Sequence, residues 1–479
     1  MPVPQLTRRD VLLSSGAAGI AGAMPYRLAA AQLSRTGPVV SVADFGARTG
    51  ARDNTRAIQA AIDEVQRRGG GTVIVPGQFH CGNIVISGRD VRIQGQEGWL
   101  INGRLTVGPS AEGLQVADLG VLHTRGDPAD YPAEISGRNC SFDNLQLVKD
   151  PIAGGYQMYV RPESSGCRFT GLRLKGSNGI FLAGRDHLFE GFELESTMSD
   201  KIGGDDAFAI KALGSPSENI TIRNGVVRGF TAIVSFGSEI GTPERDSNYV
   251  GAVRNVLVEN VTADPCSLVA FFKPGALIYD WRNGLVEHIR LRNLSLNDTI
   301  GKRFGAGIRM IAARGAIIRD VVATGIQIHA RALNRGVSST AAVDLTLLEQ
   351  GAPARIEDVR LQVSFVDPYA GGKHGPGVPG YPIEHVVRIE KANPAKGSMS
   401  GIVLDIEGEG SGFGGIYVGS GLDGAVTVER AILKRVAMSP PASVGGGGIW
   451  SDSRLTLGNV QIDSIMLPKF GGSAFATRR

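Results

Sequence analysis

Asn219-Ile-Thr-Ile, Asn255-Val-Leu-Val, His288-Ile-Arg-Leu, Asp320-Val-Val-Ala and Asp358-Val-Arg-Leu repeat one phrase, polar, apolar, any, apolar, at separations of 36, 33, 32 and 38 residues. The phrase stands earlier as NLQL from Asn144, GLRL from Gly171 and GFEL from Gly191, with separations of 27, 20 and 28 residues up to Asn219. Aliphatic or β-branched residues at alternate positions make short strands with one buried face, and the Gly, Asn and Asp between them supply turns. A recurrence this short cannot build independent domains. It leaves propeller blades or stacked coils. A blade needs four strands and a recurring Trp-Asp signal, whereas the chain has three tryptophans and its repeat shrinks to 20 residues. Coils remain. Each strand then lies beside its equivalent in the next coil at a spacing of ~4.8 Å, so like residues stack into ladders and only the two ends keep open edges. Those ends need caps.

The N-terminal cap is legible in DNTRAIQAAIDEVQRRGGGTVIVPG. Asp53 or Asn54 can accept the first helical N–H, and Ala57, Ile58, Ala61, Ile62 and Val65 fall at helical spacing. Arg67 and Arg68 sit in the last turn and Gly69 can take the left-handed stop. TVIVPG then opens the first coil. Beyond Ser439 the pattern weakens into SPPASVGGGG. The expected organisation is therefore one elongated domain over residues 40–440 with a closing segment over 441–479.

Ahead of all this, TRRDVLLSSGAAGIAGAMPYRLAAAQ joins Arg8 and Arg9 to a short apolar run and a small-residue site at Ala29–Ala31. That is a twin-arginine export signal over residues 1–31. The run from Val11 to Met24 is shorter than the roughly 20 residues needed to span a bilayer. A soluble periplasmic or secreted protein is expected, with no membrane association once the signal is removed. Glycine, at 67 of 479 residues, is about twice as common as the usual ~7%, which points to many tight turns. A net charge of +4 offers no nucleic-acid surface. Cys81, Cys140, Cys167 and Cys266 show no zinc spacing. Cys140 and Cys167 recur in matching contexts, NCSFDNLQL and GCRFTGLRL, and are read as buried free thiols on adjacent repeats. No metal or cofactor is expected, and the chain is read as a monomer.

Residues 40–78, VSVADFGARTGARDNTRAIQAAIDEVQRRGGGTVIVPGQ, resemble the opening of the pectate-lyase-superfamily proteins that include polygalacturonases and rhamnogalacturonases. The resemblance implies an all-β fold, a single-stranded right-handed parallel β-helix with an N-terminal capping helix. Across residues 203–320 the likeness is to polygalacturonase-type glycoside hydrolases: GGDDAFAIKA is similar to their paired-aspartate motif and FGSEIG to the segment after their catalytic histidine. It implies inverting hydrolysis of an acidic, pectin-like glycan, with Asp205 as general acid and Asp206 as the base that activates water. That chemistry needs two carboxyl groups in unlike environments, one holding its proton and one ionised. Neighbouring strand residues face opposite ways, so both can serve only where the strand bends, and Gly203 and Gly204 suit such a bend. Lys273 and Arg309 are the expected substrate-binding cations, and at two coil steps Lys273 should stand roughly 10 Å from Asp205. The sequence departs from the family pattern at Asn178, Ala232 and Phe271, where an aspartate, a histidine and an arginine belong.

Plainer readings stand beside these. Gly-Gly-Asp-Asp is good turn chemistry, Lys273 and Arg309 fit solvated strand positions, and Trp281 suits packing as well as sugar stacking. His187, His288 and His329 lie in strand patterns and are expected as ladder members, whereas His374 and His385 flank the Gly/Pro-rich loop VDPYAGGKHGPGVPGYPIEH. Three functions compete: an inverting hydrolase, a lyase or epimerase whose base is Lys273, Arg309 or a loop histidine, and a β-helix that binds glycan without cleaving it.

Overall fold

The computed structural model describes residues 37–124, 131–149, 155–197, 204–243, 251–275, 281–297, 307–329, 341–348, 351–366, 385–391, 397–411, 414–419, 426–438, 449–451, 455–466 and 475–477. The signal at residues 1–31 and the loop around His374 lie outside them. Helix α1 (Thr55–Arg67) buries Ile58, Ala61, Ile62 and Val65 against the first strands, as the spacing predicts. Asp53, not Asn54, takes the Thr55 N–H at 2.9 Å; the Asn54 carboxamide oxygen instead accepts from the Arg48 N–H at 2.8 Å. Gly69 closes the helix at φ +85°.

Beyond the helix the coils pair in parallel through two long sheets, and among the described residues one two-residue bridge, Thr242–Pro243 with Trp281–Arg282, is antiparallel. In the first sheet the coils from Ser217 onward carry one long bent strand each: Ser217–Arg228, Ala252–Ala263, Leu285–Asn297, Ile317–His329 and Arg355–Val366. These pair in register, Ile220 on Val256 on Ile289 on Val321 on Val359. The strand phrases at Asn219, Asn255, His288 and Asp320 are thus stacked in parallel. At the C-terminal end Leu455–Met466 pairs in parallel with Val426–Met438, and Phe475–Thr477 with Ile449–Ser451.

Every residue that opens the repeated phrase is left-handed, from Asn144 at φ +53° to Asp358 at φ +52°. An ordinary side chain loses roughly 1–2 kcal/mol in that conformation, which glycine avoids and Asn or Asp tolerates. The structure corrects one expectation here, because the phrases form two ladders, not one. Glu193 pairs with Val226, and Leu188 with Thr221. Gly191 therefore stacks on Asn224, and Asn219 on Asp186. The ladder through Asp186, Asn219, Asn255, His288, Asp320 and Asp358 runs beside one through Asp118, Asn144, Gly171, Gly191, Asn224, Asn260 and Asn293. Carboxamides tie successive rungs: Asn219 to Asp186 at 2.8 Å, Asn255 to Asn219 at 3.1 Å, Asn260 to Asn224 at 3.2 Å. Inside, Phe142, Phe169 and Phe189 stack at 4.8 and 4.4 Å, each directly on its register partner. All four cysteines are buried, and none is in a disulfide.

The second sheet positions the candidate site. Its relevant strands are β1 (Tyr156–Val160), β2 (Asn178–Leu182), β3 (Gly204–Ile210), β4 (Phe230–Ser238), β5 (Cys266–Pro274), β6 (Ile308–Ala312), β7 (Ala341–Leu347) and β8 (His385–Lys391). Ile180, Phe208, Val234, Ala270 and Ile308 fill the core. Between these positions runs another ladder, Tyr159, Phe181, Ala209, Ser235, Phe271, Arg309, Asp344 and Arg388 in register. Among the described residues no helix is long and apolar enough to cross a membrane.

Candidate active site

Asp205 and Asp206 fall where strict alternation fails. Ala207 and Phe208 both enter the main core, as do Ile233 with Val234 and Val269 with Ala270. One residue per coil is thus added to the inward set, and the residues before it change face. This slip brings Asp206 to the polar side chains outside the core. Gly203 lies outside the described residues, while Gly204 opens β3 where an added Cβ would come within 2.4 Å of the Ser177 carbonyl oxygen.

The two carboxyl groups have unlike surroundings. Asp206 has no exposed surface. Its Oδ2 accepts from the Lys273 ammonium at 3.1 Å and from the Ser235 hydroxyl in a short contact, while its Oδ1 is enclosed with no hydrogen-bond partner among the described residues. Asp205 is exposed. Its backbone N–H donates to Asn178 Oδ1 at 3.1 Å, and the Tyr156 hydroxyl donates to its Oδ2 at 3.4 Å. The negative charge of Asp206, aided by desolvation, raises the Asp205 carboxyl above the ordinary carboxylate range. Burial alone would lower the Lys273 ammonium, but the carboxylates of Asp206 and Asp205 outweigh it and hold it above its usual value.

The Lys273 side chain reaches Asp206 across the intervening strand. It lies on β5, with β4 between it and β3, and its register partner on β4 is Gly237. The small residues of β4, Ala232, Ser235 and Gly237, leave room for the lysine to cross to Asp206. Arg309 does occupy the ladder next to Phe271, one coil after the expected arginine position. Its Nε lies 3.1 Å from Asp344, which also takes Arg388 at 2.7 Å. The structure thus unites Asp205, Asp206 and Lys273 and places Arg309 in a separate ion cluster. Asn178 and Ala232 sit beside the pair, as aligned. Among the histidines, His187 packs beneath Cys167 and accepts its N–H at 3.3 Å, and His288 is a left-handed rung. Trp281 is half-buried in a small antiparallel bridge to Thr242–Pro243.

Two participants gave no sequence signal. Tyr156 packs edge-on against Phe181 at 5.4 Å, and its hydroxyl is raised well above its usual value by burial and by Asp205 and Asp206. Lys211 is buried, donates to the Gly237 carbonyl at 2.5 Å and pairs with Glu239 in a short contact.

No family model matches the chain, and no curated protein matches it. Solved structures do. A double mutant of the tailspike protein of E. coli bacteriophage HK620 superposes with a TM-score of 0.58 at 13% identity, over 87% of this chain and 78% of the tailspike. A single mutant of that tailspike in complex with a pentasaccharide gives 0.57 at 13% identity with the same coverage. The chain is a right-handed parallel β-helix. An exopolygalacturonase from Thermotoga maritima matches over 83% of this chain and 91% of its own, at 15% identity and a TM-score of 0.45. At these identities the likeness is one of fold.

Proposed function

We propose that this β-helix acts on an extended glycan as a glycoside hydrolase, with Asp205 as the proton donor and Asp206 as its ionised partner. The observation that carries the reading is the asymmetry of the pair: an exposed carboxyl raised above the ordinary carboxylate range by its neighbour's charge, beside a buried carboxylate bound to Lys273. This is the division of labour that acid-assisted departure of a sugar oxygen requires. Proton acceptance from water would fall to Asp206 Oδ1, which has no partner among the described residues, and requires that oxygen to be uncovered when glycan binds. Its enclosure is also what favours the second reading, glycan binding without cleavage. Lyase chemistry through Lys273 is disfavoured, because an ammonium held above its usual pKa is a poor base near neutral pH. The wild-type protein, incubated with a panel of acidic and neutral polysaccharides, is expected to release reducing ends without a near-ultraviolet product. An absorbing product would replace hydrolysis by elimination, and retention without cleavage would replace it by binding. Export by residues 1–31 as a soluble monomer belongs to the same proposal, and Arg8→Lys with Arg9→Lys should abolish secretion.

A further inference from the structure

One inward ladder at a corner of the first sheet changes its chemistry for three rungs. Leu114, Cys140, Cys167, His187, Ile220 and Val256 follow one another, each one coil beyond the last. All are buried, with Cys140 at 1%, Cys167 at 0% and His187 at 2% exposed. Aliphatic rungs fill the same place before and after, so packing alone does not call for two sulfurs and an imidazole here. None of the three touches the carboxylate pair.

The two cysteines stand within bonding reach. Successive coils are ~4.8 Å apart, inside the roughly 4.4–6.8 Å that a disulfide spans between α-carbons. Both sulfurs gather at Gly137: its carbonyl oxygen accepts from Cys167 Sγ at 3.4 Å, and a Cβ added to it would stand 2.8 Å from Cys140 Sγ. Direct interaction with the Cys140 thiol, aided by His187, brings Cys167 down to about 5, while Cys140 is raised. Cys266 is the contrast. Its register partner is Phe230, and burial pushes its thiol up to about 12. On the other side of Cys167, His187 Nδ1 accepts the Cys167 N–H at 3.3 Å, which leaves the ring proton on Nε2, 3.2 Å from Ser164 Oγ.

We propose that Cys140 and Cys167 are a redox pair, which closes a disulfide between successive coils when the chain meets a low-molecular-weight disulfide oxidant. The Cys167 thiolate attacks one oxidant sulfur, the oxidant's S–S bond breaks, and one thiol leaves with the proton that Cys167 gave up. Cys140 then loses its proton and attacks the Cys167 sulfur of the mixed disulfide, and the second oxidant thiol leaves with that proton. Two cysteine thiols are oxidised to one disulfide, and the oxidant is reduced to two thiols. Because both sulfurs are buried, the oxidant reaches them through local opening of the coils. The coils so joined lead into β1 and β2, which carry Tyr156 and Asn178, the partners of Asp205. The chemistry of the pair is independent of the glycan reading.

The test incubates the reduced full chain in oxidised and reduced glutathione, at a urea concentration below the unfolding transition, followed by alkylation and trypsin digestion. Cys140 and Cys167 fall on separate tryptic peptides, residues 139–149 and 150–168. Two of the four thiols should be lost, and the two peptides should be recovered as one linked species, lighter than their sum by the hydrogens removed. The melting temperature should rise by about 2–5 °C and fall back with dithiothreitol. Cys167→Ser should abolish both the link and the shift, whereas Cys266→Ala should keep both. The link is read on wild type, so it decides even where a variant is unstable. Retention of all four thiols, a link from either cysteine to Cys81 or Cys266, or a glutathione adduct on Cys167 that Cys140 does not displace overturns the pair and leaves its sulfurs as core filling.

Discussion

The corner ladders and the Asp205–Asp206 pair are built from the same residue types and do different work. In the ladders left-handed Asn and Asp recur from coil to coil and tie to one another, as when Asn255 donates to Asn219 and Asn293 to Asn260, both at 3.1 Å. At the pair nothing repeats: Asp206 is followed in register by Ala232 and Leu268, and its carboxylate is held by Lys273 from two strands away. In a solenoid a polar residue that recurs is explained by the backbone turn it supports. A buried carboxylate that does not recur needs another account, and here that account is chemical.

The comparison can be broken at either end. The largest expected effect follows Lys273→Met, which leaves Asp206 buried without its cation and should cost about 3–5 kcal/mol of stability in a denaturant melt. Arg290→Met at the corner, where the ion pair with Asp320 is 34% exposed on both sides, should cost no more than ~1 kcal/mol. Equal losses would mean that the Lys273 pair is as screened as a surface pair. Next, Asp205→Asn should lower turnover by at least ~100-fold while stability stays within about 1 kcal/mol of wild type, since the amide keeps the shape but not the proton. Asn255→Val is the mirror case: a β-branched residue forced left-handed should lose about 1–3 kcal/mol of stability with activity unchanged. Loss of activity in a folded Asn255→Val variant would merge the two classes.

The smallest effects concern pH, and their signs are opposite. Asp205 is raised, so its contribution to stability is present below the unfolded-state value near ~3.9 and is lost as pH rises through its folded value. Asp320 is lowered, chiefly by its hydrogen bond from Arg290, so its contribution is present above the unfolded value and is lost as pH falls through its folded value. Replacing each by Asn should flatten the stability profile on its own side, and flattening on the same side for both would contradict the assignment.

Most of the fold was legible because a ladder repeats its chemistry at each coil. What misled was the phrase itself. Two neighbouring corners use the same left-handed residues followed by the same apolar alternation, so GFEL at Gly191 and NITI at Asn219 look like one series, although pairing puts them in two. The paired aspartates were legible as a motif. Their contacts were not, because the reach of Lys273 depends on small side chains in an intervening strand, and Tyr156 meets Asp205 across 49 residues of sequence. The ion cluster at Arg309 was hidden for the same reason, since Asp344 and Arg388 lie on later coils with no local pattern to announce them.

The claim on which the functional account turns is that Asp206 keeps the proton on Asp205. A carboxyl-carbon NMR titration of Asp205, in wild type and in Asp206→Asn, measures this without any substrate. The account predicts that Asp205 titrates above the ordinary carboxylate value of ~3.9 in wild type and falls toward it when the neighbouring charge is removed. An Asp205 that titrates at the ordinary value, unmoved by loss of Asp206, would contradict it.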